Sequence, residues 1–122
     1  MNGMKTLHEL CDALGVSRRA VQGYEKAGLV APSGRNKYGH LLYDEKAQNR
    51  IAQIRLYQQL GFRIKDIKEL LDAPDMVVRQ MLEKQLMYLK EERTKTEKLI
   101  AIACVLIDGS GTDADENDAD QT

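Results

Sequence analysis

Residues 6–28 read TLHELCDALGVSRRAVQGYEKAG, two short amphipathic stretches hinged at Gly15. Thr6 stands where a helix N-cap is needed, and Glu9 comes three residues later in capping-box position. Leu7, Leu10, Cys11 and Leu14 then fall at i, i+3, i+4 and i+7, a single apolar stripe. Gly15 stops that helix, and Ser17 is a good cap for a second one over Arg18 to Ala27. Gly28 supplies the left-handed residue that commonly ends a helix. Two short helices joined by a tight, glycine-containing turn form a helix-turn-helix.

Beyond Gly28, the stretch Leu29 to Tyr43 holds Pro32, Gly34, Asn36 and Gly39 and few helix formers, so it reads as a strand, a loop and a returning strand. Arg35, Lys37 and His40 stand around its turn. Asp44 caps a third helix, with Ile51, Ile54, Leu56 and Leu60 expected as its buried face and Gly61 as its end. Ile64, Ile67, Leu70 and Leu71 mark a short fourth helix, which Pro74 and Asp75 separate from the last segment. From Met76 to Ile107 there is neither Gly nor Pro, 32 residues or about 48 Å of helix. Leu82, Leu86, Leu89, Arg93, Thr96, Ile100, Ala103 and Ile107 keep 3–4 spacing along it. So long a helix has no core of its own, and its apolar seam needs a partner helix. Folding back on its own head is the alternative. The expected organisation is a head over 1–73, a dimerisation helix over 75–107 and a disordered acidic tail over 108–122.

Composition narrows the function. A chain of 122 residues has the size of one ordinary domain, so a large separate sensor domain is not expected. The net charge of −1 hides a segregation of charge. Residues 1–68 carry 12 Lys/Arg against 6 Asp/Glu, while residues 108–122 hold six acidic groups and no basic one. A basic head with an acidic tail suits a polyanionic partner, although solubility balance would look the same. Cys11 and Cys104 lie far apart, and His8 and His40 have no ligand partners nearby in sequence, so no disulfide framework, metal site or cofactor is expected. Cys104 sits in LIAIACVLI, residues 99–107, where it reads as a small core residue. That nine-residue run is the longest apolar one, far short of the roughly 18 residues that span a membrane. With no basic-plus-apolar leader at the start, a soluble cytoplasmic protein is expected.

The helix-turn-helix supplies the chemistry. A recognition helix fits the major groove and reaches base edges with its N-terminal residues. Here those are Arg18 and Arg19, directly after the Ser17 cap. Arginine can pair bidentately with guanine or straddle phosphates. Tyr24 has a hydroxyl for a phosphate, or else packs between helix and wing. Arg35, Lys37, Tyr38 and His40 ring the wing tip, and Gln58 is a further backbone candidate on the third helix. Two heads held by paired long helices would read a palindrome. The dimer seam is expected at Leu82, Leu86, Leu89, Ile100, Ala103 and Ile107.

The run ELCDALGVS at residues 9–17 and GYEKAGLV at 23–30 resemble the opening of MerR-family regulators. Gly39 to Tyr43 sits where the family wing reads Gly-Tyr-Arg-x-Tyr, and Leu60-Gly61-Phe62 with Ile67 to Leu71 is similar to the family's LGF…IKELL. The resemblance runs in one continuous order over about residues 5–107. It implies a mainly α fold: a winged helix-turn-helix with a small β-hairpin wing, then a long dimerisation helix in an antiparallel coiled coil. It also implies a sequence-specific transcription regulator acting as a homodimer on a palindromic promoter site. Activators of this type bend and untwist an overlong promoter spacer, so RNA polymerase is a candidate partner. Short members answer instead to regulatory proteins. Gln22 and Gly23 replace the arginine and first tyrosine of the family's Arg-Tyr-Tyr-Glu, and His40 and Leu41 replace the wing Tyr-Arg, positions that usually help hold the DNA backbone.

No nucleophile–base pair and no phosphate-cradling glycine loop is present, so no enzyme is expected. The alternative is a winged-helix module for protein interaction or DNA architecture, as in excisionase-like proteins. Such modules generally lack a 32-residue pairing helix.

Overall fold

In a computed structural model, residues 3–111 are described. The elements run β1 (Lys5–Thr6), α1 (Leu7–Leu14), α2 (Arg18–Lys26), β2 (Gly34–Arg35), β3 (Leu41–Tyr43), α3 (Glu45–Gln59), α4 (Ile64–Asp72) and α5 (Asp75–Gly111). The three strands form an antiparallel sheet in the order β1-β3-β2. β3 pairs Tyr43 with Lys5 and Leu42 with Thr6 on one side, and Leu42 with Gly34 and Leu41 with Arg35 on the other. The fold is the mainly helical winged helix-turn-helix with a long C-terminal helix.

The caps set the boundaries. Thr6 Oγ accepts the Glu9 N–H at 3.2 Å, while Glu9 accepts the Thr6 N–H at 2.9 Å, a complete capping box. Gly15 ends α1 at φ +64°, a left-handed position favourable only to glycine. Ser17 and Asp44 cap α2 and α3 through the N–H groups of Ala20 and Ala47. Strand β1 has no counterpart among the sequence expectations. Two residues carry no period of their own, and β3 holds them by pairing from 36 or more residues away.

The chain divides after Val78 into two compact units. In the first, Leu10, Val21, Leu29, Tyr43, Ile51, Ile54, Ile67 and Leu70 are almost wholly buried. Each large aliphatic side chain there contributes roughly 1.5–3 kcal/mol. The expected buried face of α3 needs correction: Ile51 and Ile54 are buried, but Leu56 is 59% exposed and Leu60 37%. Leu56 lies two residues beyond Ile54, about 200° round the helix, and so faces away. Ala47 and Tyr57 take up the face instead. Arg50 fastens α3 outward, donating to the Leu29 carbonyl and lying 3.8 Å from Asp72 of α4.

Helix α5, which supplies the second unit from Arg79 on, is one unbroken helix ending four residues beyond Ile107. Asp108 to Gly111 therefore continue the helix, contrary to the expected break at 108. Gly109 and Gly111 each cost about 1 kcal/mol there relative to alanine. Once a helix is nucleated, however, each added residue gains a hydrogen bond, and no proline removes a donor from the segment. The remainder of the acidic tail, 112–122, lies outside the described residues. Leu82 is half-buried, while Leu86, Leu89, Ile100, Ala103 and Ile107 are exposed in the single chain. Leu99, Ile102, Val105 and Leu106 are also more than half exposed, so the 99–107 run is apolar on every side.

Candidate nucleic-acid interface

Helix α2 buries Val21 and Tyr24 and leaves Arg18, Arg19, Gln22 and Gly23 in solvent. Ser17 Oγ accepts the Ala20 N–H at 3.0 Å, which starts the helix one residue before the two arginines. Both guanidinium groups thus project from the first turn, where a groove-reading helix meets base edges.

The wing is the β2–β3 hairpin. Its turn is closed by Asn36, whose side-chain oxygen accepts the N–H groups of Tyr38 at 2.9 Å and His40 at 3.0 Å. The Gly39 N–H returns to the Asn36 carbonyl at 2.9 Å, with Gly39 at φ +85°. Arg35 donates from Nη1 to the Gly39 carbonyl at 2.6 Å, so part of its guanidinium holds the turn and its other N–H groups stay available. The Lys37 ammonium lies 5.2 Å from the Tyr38 ring centre, and Tyr38 is 73% exposed.

Arg18 and the wing come together. Thr6, Leu7, His8 and Glu9 of the α1 start, Arg18 of α2, and Gly39, His40 and Leu41 of the wing line one open groove of about 570 Å³. The Thr6 N–H bonded to it holds the exposed Glu9 carboxyl below the usual carboxylate range. Burial pushes the Cys11 thiol up, with Arg18 opposing.

Two buried tyrosines tie this surface together. Tyr43 donates a 2.5 Å hydrogen bond to Glu25 Oε2, joining β3 to α2. Burial first, and then the Glu25 carboxylate, drive its pKa well above the ordinary tyrosine value. Tyr24, only 3% exposed, donates at 2.6 Å to Gln58 Oε1 on α3. Burial also raises the Tyr24 pKa, against the pull of the Arg55 charge. The Tyr24 hydroxyl proton is therefore committed inside the protein, consistent with its packing alternative. Gln58 is exposed and lines a second groove with Ser17, Tyr24 and Arg55.

Sequence reasoning passes over Glu25 and Arg55. Glu25 meets Tyr43 across 18 residues, a pairing no local period signals. Arg55 is legible only as the residue three before Gln58, on the same face of α3. Among the described residues no group of three His, Cys, Asp or Glu side chains could hold a metal ion, and His8 is paired with Asp12 at 3.4 Å. Among the same residues no helix is long and apolar enough to cross a membrane.

The family model described as "MerR HTH family regulatory protein" matches residues 5–74, and "MerR, DNA binding" matches residues 48–102. Nodulation protein NolA of Bradyrhizobium elkanii is 36% identical over 70 residues, covering 57% of this chain and 32% of its own length. A MerR-family transcriptional regulator from Bacillus cereus superposes with a TM-score of 0.76 at 22% identity, covering 93% of this chain and 85% of its own. The N-terminal part of the Bacillus subtilis multidrug transporter activator, MtaN, gives a TM-score of 0.70 at 26% identity, covering 84% of this chain and 97% of its own. This chain spans about a third of the length of curated relatives such as NolA. With a matched model covering more than half of its residues, the chain belongs to the MerR family of helix-turn-helix regulatory proteins, which are transcription regulators and not enzymes.

Proposed function

We propose that the chain is a sequence-specific transcription regulator that binds a palindromic promoter site as a homodimer. The observation that carries this reading is the gathering of Arg18, from the first turn of α2, with Gly39 and His40 of the wing along one groove. A base-reading helix beside a basic wing is the arrangement that lets phosphate contacts set register while the helix reads sequence. The match to the "MerR, DNA binding" description supports DNA as the partner.

On this reading Ser17, Arg18 and Arg19 face the major groove. Arg35, Lys37, Tyr38 and His40 flank the backbone at the wing, and Gln58 adds a contact from α3. Residues 1–73 form the DNA-binding head and 75–107 the dimerisation helix, pairing antiparallel along Leu82, Leu86, Leu89, Ile100, Ala103 and Ile107. The exposure of Leu86, Leu89, Ile100 and Ile107 in the single chain supports a second copy as their cover. RNA polymerase or a regulatory protein would then be met on the promoter, in the cytoplasm.

Fluorescence anisotropy against the promoter of the chain's own gene and a scrambled duplex, over a range of salt, tests the reading. Tight binding to the promoter with weak binding to the scrambled duplex is expected. Equal, steeply salt-dependent binding to both would favour an architectural role instead.

A further inference from the structure

Helix α2 presents an outward ridge that is bare at its middle. At about 100° per residue, Arg19, Gln22, Gly23 and Lys26 share one face, half a turn away from the buried pair Val21 and Tyr24. All four residues of this row are exposed. The flanks of the helix are occupied differently. Arg18 lines the groove with Gly39 and His40 of the wing, and Ala20 lines the groove with Arg55 and Gln58 of α3. A helix that enters the major groove with its buried side against the head therefore turns this row to the base edges.

Two residues of the row bring chemistry that the cations lack. The Gln22 amide makes no hydrogen bond with any described residue, so its carbonyl oxygen and its NH₂ both stand free. Gly23, beside it, is a notch. Its φ is not positive, and a Cβ built there would meet nothing within 4 Å. Nothing inside the head asks for a residue that costs about 1 kcal/mol against alanine in a helix. The use of glycine then lies in a surface outside the chain that comes close to the helix backbone. Phosphate oxygens only accept, so they would engage half of the Gln22 amide and have no need of the notch. An A·T pair uses both features. Adenine N6 and N7 take a glutamine amide bidentately, and the thymine C5 methyl projects into the groove and wants an apolar space.

We propose that Gln22 and Gly23 form the reading element for one A·T pair in each half-site, Gln22 holding the adenine and the Gly23 notch receiving the thymine methyl. The inference rests on the DNA-binding reading and names a base pair for it.

The test lets the full chain select from a library of random-sequence duplexes, with wild type, Gln22→Ala and Gly23→Ala compared by sequencing what they bind. Anisotropy on the selected duplex at several salt concentrations then gives affinities, and thermal melting checks folding. Wild type should fix adenine at one position of each half-site. Gln22→Ala should lose roughly 5- to 150-fold of discrimination at that position alone, the range for a bidentate base contact. Its salt slope should equal that of wild type, because no charge has been removed. Gly23→Ala should bind more weakly while melting no lower than wild type. With the protein untouched, 7-deazaadenine in place of the adenine, or uracil in place of its thymine, should weaken binding as well. Those two duplexes decide the matter alone if either variant fails to fold. Unchanged selection by Gln22→Ala, or a reduced salt slope, would overturn the adenine contact and leave the DNA-binding reading standing. Full affinity of Gly23→Ala, or of wild type for the uracil duplex, would overturn the role of the notch. Wild type that binds no duplex at low salt would sink the DNA-binding reading together with the inference.

Discussion

The Tyr43 hydroxyl donates a 2.5 Å hydrogen bond to Glu25, linking the strand that leads out of the wing to the helix that carries Arg18 and Arg19. Helix α2 and the wing strand β3 are therefore fixed to each other by side chains 18 residues apart in sequence. Removing that bond leaves Glu25 without its partner in a half-buried position.

Tyr43→Phe is expected to cost about 1.5–3 kcal/mol, the range for a hydrogen bond to a charged group. The variant also changes the alkaline limb of stability. The Tyr43 pKa is raised on folding, so its contribution is complete below the unfolded value near 10 and fades as pH climbs above it. Wild type should lose stability above pH 10 more steeply than Tyr43→Phe, by up to about 1.4 kcal/mol per pH unit for one proton. Urea unfolding from pH 8 to 11 measures both effects, and parallel curves would exclude the second.

Arg18→Ala with Arg19→Ala should abolish the preference for the operator and leave self-association unchanged. Each bidentate base contact is worth roughly 1–3 kcal/mol of discrimination. Anisotropy against promoter and scrambled duplexes, beside sedimentation, separates the two properties. Normal recognition by the double variant would show that α2 is not the reading helix.

Gly23→Ala is expected to stabilise the head by about 1 kcal/mol, since glycine inside a helix costs that much relative to alanine. A Cβ at this position would meet nothing within 4 Å, and Gly23 has no left-handed φ. Its own fold therefore makes no demand for glycine. A higher melting temperature is the expected result, and a lower one would point to a role in the helix that its surroundings do not reveal.

Leu86→Glu with Ile100→Glu should convert the protein to a monomer in sedimentation equilibrium. These side chains are 50% and 56% exposed in the single chain, so the change does not disturb the head's own core. Near-ultraviolet tyrosine signals should persist. An unchanged mass would place the pairing seam elsewhere on α5.

The helix boundaries are legible in the sequence because local chemistry sets them. Thr6, Ser17 and Asp44 cap as their side chains dictate, and Gly15 and Gly28 stand at positive φ where helices end. What escapes a sequence reading depends on distant partners. β1 exists only because β3 pairs with it, and Tyr57 rather than Leu56 is buried because the turn of α3 places the tyrosine inward. The site divides in the same way. Arg18 and Arg19 stand out by position after a cap, whereas the Tyr24–Gln58 bond spans 34 residues and only the fold reveals it.

The wing turn is already shaped before any partner arrives. Asn36 holds the N–H groups of Tyr38 and His40, and Arg35 holds the Gly39 carbonyl. A loop so bound has little freedom left to lose when it meets a surface. On the proposed DNA-binding reading, encounter with a duplex needs no folding of the wing turn, so the wing adds no rearrangement step to an association steered by charge. A chain built this way tunes the lifetime of its complex through the contacts it makes, while its rate of arrival is set by charge and salt.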